Sequence, residues 1–155
     1  MRTRSFLLVL LSTLLLVTAV PAAASATQYK VWKRSGAAAG RVVPGPVPDQ
    51  GSRIGVIRDL SKFRGAVYSK QTSSGYRGWP VSNGSSYVCW IKQVSKTRFA
   101  VTKVPGGRTA GRVTRISNGN WLAQKKSSGN WVTVGRVQKG CRGHWAAGAL
   151  RLLLW

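Results

Sequence analysis

"ISNGNWLAQKKSSGNWVTVGRV" occupies residues 116–137, and how it divides decides the fold. Asn118-Gly119 is the dipeptide that tight hairpin turns favour, because both residues tolerate positive φ. A strand follows at 120–126, Ser127-Ser128-Gly129 interrupts it, and "WVTVGRV" (131–137) returns rich in β-branched residues. The apolar residues show no 3.6-residue period, so the segment is a hairpin and not a helix.

Working outward, the same grammar recurs. "VSNGSSYVCWIKQVSKTRFAVTKV" (81–104) and "VYSKQTSSGYRGWPV" (67–81) each read as strand, polar turn and returning strand. Asn83-Gly84-Ser85 is a glycosylation sequon, but it also sits where a hairpin needs Asn-Gly, and turn chemistry is the stronger reading. Strands are expected near 29–34, 53–58, 63–70, 76–81, 87–94, 98–104, 111–116, 120–126, 131–137 and 148–154. The expected fold class is all-β, a small Greek-key sandwich or barrel with one disulfide. The three uneven echoes leave a β-trefoil as the alternative.

Two segments resist the pattern. "RVVPGPVPDQGSR" (41–53) holds Pro44, Pro46 and Pro48 and is expected to be a stiff extended loop outside the sheet ladder. "HWAAGALRLLLW" (144–155) is too short to span a bilayer. It reads as a buried final strand, with insertion at a lipid interface as the competing reading.

The N-terminus is an address. Arg2 and Arg4 precede an apolar run from Phe6 to Val20, and Ala24-Ser25-Ala26 forms a small-residue cleavage pattern. Residues 1–26 are therefore expected to be a signal peptide and 27–155 a single all-β domain of a secreted protein. In an oxidising compartment Cys89 and Cys141, the only cysteines, are expected to form a disulfide worth about 4 kcal/mol.

Charge excludes more than it selects. The chain carries 25 Lys and Arg against two acids, Asp49 and Asp59, for a formal net charge of +23. Such self-repulsion points to anionic partners. There is no Glu and one histidine, His144, so a zinc site of the usual Cys and His kind cannot be assembled, and no metal or cofactor is expected. A paired-carboxylate glycosidase would need both acids to meet, and no nucleophile-elbow motif supports a Ser-His-Asp triad. The reading is that of a protein that is not an enzyme.

Side chains of a strand alternate between its faces. In "YVCWIKQ" (87–93), Tyr87, Cys89 and Ile91 share one face, which the cysteine and isoleucine mark as the core side. Trp90 is then expected outside with Lys92. The same parity groups Lys30, Trp32 and Arg34, then Arg64, Tyr68 and Lys70, then Trp121 with Lys125. An aromatic ring beside a cation has two uses. The cation's stem can shield the ring, for about 0.5 to 1 kcal/mol. Alternatively the ring stacks a base or sugar while the charge holds a phosphate or carboxylate. These residues form the candidate polyanion-binding set.

The expected function is that of a secreted, basic, non-enzymatic binding protein for an anionic polymer or surface, with antimicrobial action one consequence. Cell-wall polymer, nucleic acid and acidic glycan are the candidate partners. Peripheral contact with anionic lipid is compatible with the charge; no transmembrane anchor is expected, because the leader's apolar run is shorter than the ~20 residues a spanning helix needs and Pro21 follows it. The alternative is an inhibitor or interaction module for an extracellular enzyme, presenting the stiff loops at 44–53 or 103–111.

Overall fold

The computed structural model describes residues 27–45, 54–59 and 62–154. The strands are β1 (Tyr29–Lys33), β2 (Ala38–Gly45), β3 (Ile54–Asp59), β4 (Lys62–Val67), β5 (Gln71–Ser73), β6 (Tyr76–Ser82), β7 (Tyr87–Ser95), β8 (Arg98–Thr102), β9 (Thr109–Arg115), β10 (Trp121–Ser127) and β11 (Asn130–Val137). Two short helices, α1 (Gly143–Gly148) and α2 (Arg151–Leu154), end the described chain.

All strands but β5 close into one antiparallel barrel of ten strands. From β6 to β11 each strand pairs with the next, β11 pairs with β1, and the meander runs on to β4, which meets β6. The all-β expectation holds. The connections are those of an up-and-down barrel, so neither a Greek-key crossover nor a trefoil describes the topology. The reason is local: short turns hand each strand directly to its neighbour. At Asn83 the side-chain oxygen accepts hydrogen bonds from the Ser85 and Ser86 amides, both at 3.0 Å. At the 116–120 turn the Ile116 amide donates to the Asn120 carbonyl at 2.9 Å, and Gly119 takes the positive φ, 84°.

Two elements differ from expectation. The 41–53 stretch is not all loop: residues 41–45 belong to β2, and Pro44 sits opposite Gly55 of β3. The 148–154 stretch is largely helical instead of a final strand; residues 148–150 lie inside the barrel and α2 closes one mouth. Each of the ten barrel strands contributes a fully buried residue to the interior: Val31, Val42, Ile57, Val67, Val81, Ile91, Val101, Val113, Ala123 and Val137. Against them are set Ala146, Ala147, Ala149 and Leu150, also fully buried. A closed barrel has no free edge to pair an inner strand, so a chain entering it must satisfy its own backbone, as a helix does. Ala and Leu favour helix, and the buried faces of α1 are apolar, while α2, with Arg151 and three half-buried leucines, sits at the barrel mouth. The inner wall makes room for it. A side chain at Gly55 would meet the Trp145 ring at 2.6 Å, and one at Gly135 would meet Leu153 at 2.9 Å.

The cysteines are free and buried in this structure, which corrects the expected Cys89–Cys141 bridge. Cys89 lies on the inner face of β7 and feels the charge of Arg151. Cys141 follows β11, where its carbonyl accepts a 2.9 Å hydrogen bond from Trp121 Nε1 on β10. By register Trp121 is three strands round the barrel from Cys89 and toward the opposite end. A disulfide cannot span that separation. Burial pushes both thiols up to about 12, so they stay protonated.

The expected leader, Asp49 and most of the 44–53 loop lie outside the described residues. No helix of the described residues is long and apolar enough to cross a membrane.

Candidate functional site

The cations gather on the outer surface of the barrel. Lys30 of β1 stands opposite Arg41 of β2, and Arg41 stands opposite Arg58 of β3. Like charges directly opposite on neighbouring strands repel. Arg41 Nε is buried and has no hydrogen-bond partner. Among the described residues Asp59 is the only carboxylate, and it is engaged 2.8 Å from Arg64. Among the described residues no free carboxylate neutralises the row.

The row continues round the barrel. On β11, Arg136 sits opposite Trp32, with its guanidinium carbon 5.0 Å from the ring centroid. On β9, Arg112 lies 4.1 Å over the Trp131 ring and donates a 2.9 Å hydrogen bond to Gln124 Oε1. Burial, and then neighbouring Arg98, pull the Arg112 guanidinium down from its ordinary value. Arg98 on β8 stands opposite Thr114, two residues along from Arg112, and Lys92 on β7 lies 5.6 Å over Tyr76. From Arg58 to Lys92 this belt crosses seven strand-to-strand intervals, about 34 Å of sheet.

The expected site residues divide between belt, core and barrel end. Lys30, Trp32 and Lys92 are on the belt. Arg64 is spent on Asp59, and its carbonyl accepts a 2.6 Å bond from Arg151 Nε. Tyr68 meets Tyr87 edge-on at 6.1 Å, and the Lys70 ammonium lies 4.8 Å from the Trp79 centroid. Arg34 and Lys125 are near one another at one mouth of the barrel with Lys33.

The two remaining tryptophans require correction as stacking groups. Trp121 faces the core with Ala123 instead of standing outside: it is 5% exposed and packs edge-on against Phe99 at 5.7 Å. Trp90 does alternate away from Cys89 and Ile91, yet it too is only 5% exposed. Tyr76 and Tyr87 cover it edge-on at 6.2 and 5.8 Å. A register shift in the β6–β7 pairing leaves Val88 without an opposite residue and turns Tyr87 from the Cys89 face to the Trp90 side. Tyr87 itself is 50% exposed.

Sequence reading missed Arg41, Arg58, Arg98, Arg112, Arg136 and Trp131. For Arg112, Trp131 and Arg136 a signal was present in the alternation of "GRVTR" (111–115) and "WVTVGRV" (131–137). It was overlooked because a search within single strands cannot see Arg112 meeting Trp131 from two strands away.

His144 lies in the aromatic end of the barrel. Its ring stacks on Trp79 at 4.8 Å with a 7° interplanar angle. Burial, helped by the Arg142 charge, lowers its pKa to about 4. It is a neutral packing residue near pH 7.

Comparison with protein-family models, curated proteins and solved structures finds no match to this chain.

Proposed function

We propose that this is a secreted, non-enzymatic protein that binds an anionic polymer or surface along the outer belt. The observation that carries the reading is the row Lys30–Arg41–Arg58, which no carboxylate of the described residues compensates, extended by Arg136, Arg112, Arg98 and Lys92. A fold accepts cross-strand repulsion when a bound anion removes it. The pairs Arg136–Trp32 and Arg112–Trp131 hold each guanidinium over a ring, and because Arg112 gives only its Nε–H to Gln124, its terminal N–H groups remain to meet phosphate or carboxylate. Enclosure of His144 against Trp79, and commitment of Asp59 to Arg64, favour binding over proton-transfer chemistry.

The test is a binding panel of cell wall, single-stranded and duplex nucleic acid, and acidic glycan at several salt concentrations. True polymer binding weakens with salt, by a slope of about 0.7 per contacted charge on a single strand. The triple variant Lys30→Gln, Arg41→Gln, Arg58→Gln is expected to flatten that slope by about two. An unchanged slope with every polymer would refute the belt as the binding surface.

A further inference from the structure

We propose that the barrel mouth beside α2 binds an anionic amphiphile, an acidic headgroup carrying an alkyl chain. A cavity of about 370 Å³ opens there, within the range of small-molecule sites. Its floor is apolar: Leu152 and Leu153 from the end of the internal helical segment, and Val132 and Val134 from β11. Its rim is cationic, with Lys33 and Arg34 at the end of β1 and Lys125 on β10. Those two strands flank β11, so the charges stand on either side of the valines. The Arg34 amide is anchored to the Val134 carbonyl at 2.9 Å, which fixes its backbone at the rim.

The chemistry follows from that combination. A neutral apolar ligand would cover three cations without pairing any of them, which is costly. An inorganic anion would leave the leucines and valines wet. An amphiphile satisfies both parts, its tail on the four aliphatic side chains and its headgroup between Arg34 and Lys125. The ordinary place for such a ligand in a barrel, the interior, is already filled by Ala146, Ala147, Ala149 and Leu150. The mouth site therefore goes beyond the belt and depends on different residues.

The headgroup and tail could come from a free acid or from a bilayer lipid, and the experiment separates them. Calorimetric titration with decanoate below its micelle concentration is run beside octanoate, neutral decyl maltoside and phosphatidylglycerol vesicles. Methyl NMR shifts locate the contact. Saturable decanoate binding is expected, with shifts centred on Val132, Val134, Leu152 and Leu153. Each methylene removed should weaken it about fourfold. The pair Arg34→Gln and Lys125→Gln, with folding confirmed by thermal melting, should weaken it about tenfold or more. Lys33→Gln serves as the single variant if that pair unfolds. Arg41→Gln and Arg58→Gln should leave it unchanged. Vesicle binding alone, with the same sensitivity to Arg34 and Lys125, would identify a membrane lipid as the source. Equal binding of decyl maltoside, indifference to the rim variants, or no saturable binding in either arm would overturn the proposal.

Discussion

The inside and the outside of this barrel solve opposite problems with the same strands. Inside, ten fully buried aliphatic residues close on a helical segment so tightly that the wall carries glycine opposite Trp145 and Leu153. Outside, Lys30, Arg41 and Arg58 stand opposite one another on adjacent strands, with no acid between them among the described residues. The interior supplies the free energy that tolerates the repulsion on the surface. Stability and charge are thus separable in this molecule, and substitutions on the two sides should act with opposite signs.

The largest effect should come from the interior. Trp145→Ala removes a ring that fills the space opposite Gly55, and it is expected to cost about 3 to 5 kcal/mol, read from urea unfolding. Affinity of the folded fraction for a polyanion should not change. Trp90→Ala tests the boundary between the two regions. Because Tyr76 and Tyr87 enclose it, the substitution should lower stability by a similar amount and leave polymer affinity intact. A loss of affinity without a loss of stability would return Trp90 to the binding surface.

Acid should act next, through the barrel end. A histidine whose folded pKa is about 4, against an ordinary 6.5, binds its proton more readily when unfolded. Its contribution is fully present above pH 6.5 and is lost as pH falls toward 4, for a total of about 3 kcal/mol. Melting temperature should therefore drop across that window, and His144→Gln should flatten the drop. An unaltered pH profile in that variant would mean that the stacked ring is protonated without penalty.

The smallest stability change should carry the opposite sign. Arg41→Gln relieves two cross-strand repulsions, with Lys30 and Arg58, and is expected to stabilise the fold by about 0.2 to 1 kcal/mol. The same substitution should weaken polyanion binding and reduce its salt slope. A destabilised variant would show that Arg41 is held by packing of its stem and not tolerated for its charge.

Much of the strand pattern was legible because its causes are local. Asn83-Gly84 and Asn118-Gly119 make their turns through side-chain hydrogen bonds and positive φ within a few residues, so the sequence marks them without knowledge of the fold. The outward direction of Trp90 followed from alternation in the same way. Its cover did not, because Tyr76 arrives from another strand and Tyr87 depends on a register shift. Trp121 and Trp90 look alike as aromatic residues ahead of a lysine, yet one points into the barrel and the other lies under tyrosines. The missed arginines share this cause: Arg112 and Trp131 become neighbours only when β9, β10 and β11 are laid side by side.

By itself the sequence determined an all-β chain, its hairpin turns, and a cation excess too large for internal pairing, since composition and short-range backbone preference need no partner. Only the tertiary structure decided that the strands close as an up-and-down barrel, with α1 inside it and α2 at its mouth. It also decided that Cys89 and Cys141 are apart. An apolar run such as "WAAGALRLLL" (145–154) suits a buried strand as well as a buried helix. The choice rests on what surrounds it: a closed wall with no edge to pair, and room left by glycines.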